Sequence, residues 1–159
     1  MPSAEPSLAF RLLDVHVIHG RADDRAVQHP DLTRSFAELL HESASLAGGL
    51  RMMGLGPEDV LVLRSPSVQV RVVTVLACIR LGAHVEDDAV SPHAVVEGDP
   101  AQVVLGDAAE SWAVLLKAGR GDPAEAAPTD PPGYAARVAE QHADLVEPLL
   151  AGRPVSLPR

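Results

Sequence analysis

The stretch VLVLRSPSVQVRVVTVLACIRLGAHV, residues 60–85, decides the fold. It opens with four apolar residues bounded by turn signals, a pattern typical of a strand that is buried on both faces. Val68–Leu81 is apolar nearly all round, and its length of 14 residues favours a helix over a strand. Pro66 near its start and Gly82 after its end fit helix boundaries. With a further strand predicted at 83–85, the stretch indicates a strand–helix–strand unit.

Upstream of this unit, the sequence predicts an amphipathic helix from Phe36 to Met53. Ser35 can cap the helix, and Glu38 stands at the spacing of a capping box. Apolar residues recur at helical spacing along one face, and Gly54 follows as a terminating glycine would. Earlier elements are a helix over residues 7–19 that stops at Gly20, a short strand at Ala26-Val27 and a turn at Pro30-Asp31.

Downstream of residue 86 the periodicity is weaker. The runs 103–105 and Trp112–Lys117 are candidate strands, 118–132 is a predicted exposed loop, and 134–150 is a predicted helix. The sequence therefore predicts one α/β domain over residues 1–150, followed by a frayed tail over 151–159. We expect a three-layer sandwich, in which a parallel or mixed sheet of about five strands carries helices on both faces.

Composition excludes several classes of function. The 159 residues carry a net charge of −9, and Lys117 is the only lysine among 13 scattered basic side chains. Nucleic acids and anionic membranes require clustered basic residues, so we expect neither as a partner. The single cysteine, Cys78, lies in an apolar run and is interpreted as a small buried hydrophobe. Without a predicted signal peptide or membrane span, the expected location is the cytoplasm.

Candidate reactive residues are few. The segment His84–Asp88, with His93 nearby, contains imidazoles and carboxylates that suit a divalent metal, but an acidic surface loop is the favoured interpretation. His16 and His19 can share a helix face, yet no third ligand is evident. Ser43 and Ser45 lie inside the amphipathic helix without a suitably spaced base. We therefore assign no catalytic, cofactor-binding or metal-ligating residue, and we expect no cofactor.

Residues 32–85 resemble a known family pattern. LTRSFAEL, residues 32–39, is similar to the "LTYAEL" start of the AMP-binding superfamily, which comprises acyl-CoA synthetases and nonribosomal-peptide adenylation domains. GLGPEDV at 54–60 is similar to that family's "GVGPGDRV", and VLACIRLGA at 75–83 is similar to "AVLRAGA". The resemblance implies the family's structural beginning, which is an amphipathic helix, a buried strand and a buried helix.

The chain departs from the family pattern after residue 83. HVEDD, residues 84–88, stands where the family has an aromatic residue and a "PLDP"-like turn. The Ser/Thr/Gly-rich phosphate loop that cradles ATP is not found in the 159 residues, and Lys117 lies in no family motif. The resemblance thus implies an adenylating-enzyme N-terminal region that stops before its phosphate loop.

Two hypotheses about function follow from this partial match. The first is a non-catalytic binding or assembly module, a pseudoenzyme that associates with a protein partner or with itself, for example as a homodimer. The alternative is one subunit of a split ATP-dependent acyl or aminoacyl ligase, whose phosphate loop and catalytic lysine lie on another chain. A weaker third option is a small enzyme that uses the acidic 84–93 loop.

Overall fold

The computed structural model describes residues 5–157 and has an α/β fold. Its strands are β1 (Arg25–His29), β2 (Leu32–Ser35), β3 (Val60–Arg64), β4 (His84–Glu86), β5 (Ala94–Glu97), β6 (Gln102–Leu105) and β7 (Ala108–Ser111). Its helices are α1 (Phe36–Met53), α2 (Val68–Leu81), α3 (Trp112–Ala118), α4 (Tyr134–Gln141) and α5 (Ala143–Leu150). Shorter π-helical turns (Phe10–Asp14, Val17–Arg21) and a 3-10 turn (Gly119–Gly121) complete the set.

Packing groups the chain into two compact units, and the single domain over residues 1–150 remains a prediction. The first unit combines residues up to 41 with those from 126 onward, and the second comprises residues 42–125. The boundary falls inside α1, whose amphipathic face is continuous in sequence.

The second unit contains a mixed five-stranded sheet in the order β4-β3-β5-β6-β7. β3 lies in the middle of the parallel half and pairs in parallel with both β4 and β5. Leu61 and Val62 of β3 point to opposite faces, and neither is exposed at all. The predicted α/β fold with a mixed sheet of five strands is thus confirmed, as are the strands at 60–63 and 83–85 to within one residue.

The antiparallel half of the sheet differs from the prediction. β5 and β7 were not predicted, although β6 matches the candidate strand at 103–105. The predicted strand over Trp112–Lys117 is wrong, since these residues form α3. Ser111 caps this helix by accepting a hydrogen bond from the Val114 N–H at 3.4 Å, and only Trp112 and Leu115 are buried. Burial at a spacing of three is a helical pattern that a six-residue apolar run obscures.

The predicted boundaries of the two long helices, α1 and α2, are confirmed. At α1 the Ser35 N–H donates to Glu38 Oε1 at 2.9 Å, and the Glu38 N–H donates to Ser35 Oγ at 3.1 Å, which is the reciprocal capping box. Ser67 caps α2 by accepting from the Val70 N–H at 3.2 Å. The sequence suggested that Pro66 lies in the first turn of this helix, but in the structure Pro66 precedes the cap. Gly82 ends α2 with a φ of +76°, a left-handed conformation that favours glycine.

In the first unit, β1 and β2 form an antiparallel hairpin around the predicted Pro30-Asp31 turn. β2 was not predicted, because it runs directly into α1. The helix predicted over 7–19 consists largely of π-helical turns and loses helical geometry at His19 and Gly20. The helix predicted over 134–150 is two helices, α4 and α5, which are separated by the non-helical backbone of His142.

The chain after α5 is ordered as far as the structure describes it. Val155 is fully buried and pairs with β1, donating to the Ala26 carbonyl at 2.8 Å and accepting from the Gln28 N–H at 3.1 Å. Residues 151–157 therefore differ from the frayed tail that the sequence predicted, and the last two residues of that tail lie outside the described part. Backbone pairing with a strand about 125 residues away leaves no local sequence signal.

Candidate functional site

The strand order creates a crevice in the second unit. From β3 the chain crosses through α2 to β4 on one side, and it then returns to β5 on the other side. β3 and β5 therefore flank the point where the connections diverge in opposite directions. In open α/β sheets, ligands bind outside the carboxyl ends of the strands at such a switch point.

A cavity of about 190 Å³ occupies this position. One wall follows the carboxyl end of β3 and the start of α2, with Ser65, Ser67 and Gln69. The opposite wall is the β5–β6 turn, which includes Asp99. The start of α3 contributes Trp112, the only tryptophan of the chain. We call this cavity the switch crevice.

Internal hydrogen bonds occupy most polar groups around the switch crevice. Ser67 Oγ serves as the α2 cap, and Ser65 Oγ accepts from the Ser67 N–H at 3.2 Å. Gln69 donates to Glu42 Oε2 at 3.1 Å, and Trp112 Nε1 donates to Thr74 Oγ1 at 2.9 Å in a buried bond. These bonds orient the side chains of the crevice walls without any ligand.

The charge of the switch crevice is acidic. Asp99 is the one ionisable side chain among its lining residues, which include no lysine, arginine or histidine. Basic side chains, which bind phosphate groups most strongly, are missing from this lining, although the N-termini of α2 and α3 border it through their caps Ser67 and Ser111. The lining suits a small polar ligand, neutral or carrying an amine, at a volume equal to about six waters.

The residues of the acidic loop that were considered for a metal pair with different charged side chains. His84 begins β4 and places Nε2 at 3.5 Å from Glu58 Oε2, whereas His93 precedes β5 and places Nε2 at 3.6 Å from Asp59 Oδ1. Asp88, beyond the other end of β4, pairs with Arg64 at 2.9 Å. Among residues 5–157 no group of three His, Cys, Asp or Glu side chains is arranged to hold a metal ion.

The remaining sequence candidates also have structural surroundings. His16 Nε2 donates to the Leu149 carbonyl at 2.7 Å. The His16 ring packs against the Phe36 ring with their centroids 4.8 Å apart, while His19 is exposed. Ser43 and Ser45 are fully buried in α1, and His41 is exposed. The sequence assigned no reactive role to these residues, and the structure gives each of them these surroundings.

Cys78 is fully buried, whereas Lys117 is exposed. Burial raises the pKa of the Cys78 thiol to about 12, because desolvation penalises the thiolate. The thiol is thus protonated and inert near neutrality, as expected for a small buried hydrophobe. Lys117 is exposed on the last turn of α3 and does not line the switch crevice.

Sequence reasoning missed the switch crevice entirely. Its local signals were Ser-Pro-Ser after the β3 run and Gly-Asp-Pro after residue 97, both of which are turn motifs that follow apolar runs. Recognising β5 as a strand parallel to β3 would have placed both turns at the same sheet edge. The four residues of β5 are too few and too ordinary to reveal that pairing.

Curated relatives match about half of the chain. No protein-family model matches it. Short-chain acyl-CoA synthetase family member 3 from Mus musculus is 30% identical over 83 residues, which are 48% of this chain and 12% of that protein. Acetyl-coenzyme A synthetase from Rhodopirellula baltica is 30% identical over 92 residues, 51% of this chain and 14% of that protein. The chain thus spans roughly an eighth of the length of these relatives.

Similar solved structures also match about half of the chain. The anthranilate CoA ligase AuaEII, in complex with anthranoyl-AMP, matches 54% of this chain at 20% identity, with a TM-score of 0.46. The N-terminal subdomain of Klebsiella oxytoca NpsA matches 50% at 16% identity, with a TM-score of 0.45. No helix among the described residues is long and apolar enough to cross a membrane. Over about half of its length, the chain resembles the N-terminal part of the AMP-binding superfamily of acyl-CoA synthetases and adenylation domains.

Proposed function

We propose that these 159 residues form a binding and assembly module that does not activate a nucleotide by itself. The observation that carries this proposal is the switch crevice, which occupies the usual ligand position of an α/β sheet but has an acidic lining. Adenylation requires the enzyme to bind the phosphates of ATP and to neutralise their negative charge. Asp99 would repel them, and the lone lysine is elsewhere on the surface.

The assembly part of the proposal rests on the antiparallel half of the sheet. β7 is an edge strand, and Ala108, Ala109 and Glu110 are all exposed. Val104 of the neighbouring β6 is 39% exposed. An uncovered sheet edge offers backbone groups for pairing with another chain. We propose a second copy of the chain as the partner, and a cytoplasmic location.

The ligand-binding part is tested with the single tryptophan as its reporter. Fluorescence of Trp112 should change saturably with a small amine or alcohol from a fragment library, and the change should be absent in Ala113→Phe, which fills the crevice wall. Val114→Phe is the matched control, because Val114 is adjacent and 50% exposed but does not line the crevice. If both variants respond alike, the crevice is not the binding site.

The non-catalytic part is tested by ATP–pyrophosphate exchange. The purified chain should give no exchange above background with ATP, magnesium and a panel of short carboxylic and amino acids. Light scattering on the same sample should give the mass of a dimer. Measurable exchange by the chain alone would overturn the non-catalytic proposal, and a strictly monomeric particle would overturn self-association.

The alternative is a subunit of a split ligase, which the similarity to synthetases supports as much as it supports the first proposal. Both relatives are named as synthetases, and the chain matches only 12–14% of their length. A second polypeptide that carries the phosphate loop and catalytic lysine would then complete the enzyme. Capture of such a chain by the tagged protein, followed by pyrophosphate exchange in the reconstituted mixture, would support this alternative over the first proposal.

A further inference from the structure

The β6–β7 hairpin leaves one residue of β7 with its backbone groups directed away from the sheet. Leu105 and Ala108 flank the two-residue turn as a hydrogen-bonded pair, and bonded and non-bonded pairs alternate from there. The Trp112 N–H donates to the Ala101 carbonyl at 3.0 Å, which continues the same alternation. Ala109 therefore lies at a non-bonded position, and its N–H and C=O groups point away from β6.

The outward groups of β7 are accessible. Ala109 is exposed, and among residues 5–157 no hydrogen bond from outside the β6–β7 ladder reaches it. The opposite edge of the sheet differs, because His84 and Val85 of β4 are buried. An exposed N–H and C=O on one residue can bind another strand through a pair of backbone hydrogen bonds. β7 is thus the edge at which this sheet can be extended.

The sequence of β7 suits a second copy in antiparallel orientation. When a two-fold axis passes beside Ala109, the N–H of each Ala109 meets the C=O of the other. Ala108 then faces Glu110 of the second copy, and Asp107 faces Ser111, so that each carboxylate meets a small uncharged residue. The next register, in which Ala109 pairs with Ser111, places the two Glu110 side chains opposite each other, which is a repulsive arrangement. Charge therefore selects the register centred on Ala109.

Glu110 also limits the length of this pairing. Its Oε1 accepts a hydrogen bond from the Ser111 N–H at 2.9 Å, and this N–H is the next one along the outer edge. In the paired strands the same N–H would donate to the Asp107 carbonyl of the second copy. The carboxylate therefore competes with the second copy for one backbone donor. Charged side chains on edge strands oppose edge-to-edge pairing in general.

We propose that β7 pairs with β7 of a second copy in antiparallel register about Ala109, and that the Glu110 carboxylate restricts this pairing. The inference rests on the self-association proposed above, for which it supplies the contact and the residue that regulates it. The pairing joins the two sheets into one continuous sheet across both copies. Ala109 of each copy provides the central hydrogen bonds, and the Ser111 N–H groups add to them when Glu110 releases them.

Light scattering over a range of protein concentrations tests the proposal on the full chain. Ala109→Pro should give a monomer, because proline removes the outward N–H, which β6 does not use. Glu110→Ala should lower the dissociation constant of the dimer by about fivefold or more, because it frees the Ser111 N–H for the second copy. Asp107→Ala is the matched control, since it removes the same charge from the same hairpin without freeing a backbone donor. It should change the dissociation constant by less than about twofold, because salt screens an exposed charge.

The outcomes separate this inference from the proposed function. A dimer that persists in Ala109→Pro would overturn the β7 contact and leave self-association in place. Equal tightening by Glu110→Ala and Asp107→Ala would show general charge repulsion and overturn the role of Glu110. An unsubstituted chain that stays monomeric while Glu110→Ala dimerises would support the contact and its restriction, and monomers in both would overturn them. Should Ala109→Pro fail to fold, amide hydrogen exchange decides, because exchange at Ala109 should slow as the concentration of Glu110→Ala protein rises, and unchanged exchange would overturn the contact.

Discussion

The two halves of the five-stranded sheet are built on different principles. In the parallel half, β3 is buried on both faces. In α2, ten residues are buried, namely Val70 and every residue from 72 to 80. In the antiparallel half, β6 alternates buried and exposed residues, and β7 has no buried residue. The parallel half therefore carries its stability in packed side chains, whereas the antiparallel half is held mainly by its backbone hydrogen bonds.

The difference also separates two kinds of potential function. The switch crevice lies where the two halves meet, between the ends of β3 and β5. The exposed β7 edge lies at the far side of the sheet. A rigid, buried half can hold a pocket in a fixed shape, while an uncovered edge can accept another strand. Substitutions that contrast the halves therefore test the fold and the proposed function together.

The largest expected effect on stability comes from the close approach of Gly119 to α1. A methyl group added at Gly119 would collide with the Ser45 carbonyl oxygen of α1. Gly119→Ala should lower the free energy of unfolding by about 3 kcal/mol or more, because the backbone must move. Gly121→Ala is the control, since nothing lies within 4 Å of its added carbon. Urea unfolding of both variants measures the contrast, and equal stabilities would disprove the close approach.

A matched pair of valines compares the halves directly. Val62 of β3 is fully buried, whereas Val104 of β6 is 39% exposed. Val62→Ala should cost about 2–3 kcal/mol, from lost apolar burial and a residual cavity. Val104→Ala should cost less than about 1 kcal/mol, as surface substitutions usually do. Chemical denaturation gives both values, and similar losses would mean that the open face of β6 is covered in solution.

A smaller effect is expected where the halves are joined. Trp112 follows β7 and donates its indole N–H to Thr74 of α2 in a buried hydrogen bond of 2.9 Å. Trp112→Phe should destabilise the protein by about 1–2 kcal/mol, because Thr74 loses its partner. A double-mutant cycle with Thr74→Val isolates the bond. Strict additivity of the two changes would show that the bond does not couple α3 to α2.

The smallest effect should be a gain in stability. The Ser45 hydroxyl is buried in α1 and has no hydrogen-bond partner among the described residues. Ser45→Ala should raise the free energy of unfolding by about 0.5 kcal/mol, since alanine favours helix and removes an unsatisfied group. Ser43→Ala serves for comparison, because Ser43 does engage a partner. Destabilisation by Ser45→Ala would instead reveal a bond that this hydroxyl makes in solution.

Sequence-based prediction was accurate for the parallel half of the sheet and less accurate for the antiparallel half and the helix that follows it. Residues 60–85 were assigned to within one residue, because a strand and a helix that are buried all round produce long apolar runs. β7 was missed because Ala-Ala-Glu-Ser has neither β-branched side chains nor alternation. Residues 112–117 were assigned to a strand because six residues cover less than two helical turns, which is too short for periodicity to be decisive.

By itself, the sequence determined the strand–helix–strand unit, the capping box of α1, the acidic charge and the scarcity of lysine, because each is a local or compositional property. The tertiary structure alone decided where the two cavities lie. The switch crevice joins turns about 30 residues apart, and a second cavity, beside the β1–β2 turn, is lined by β1 and by a segment some 125 residues later. Such sites depend on strand pairing across the chain, which is a balance of packing and backbone hydrogen bonds that no short stretch of sequence encodes.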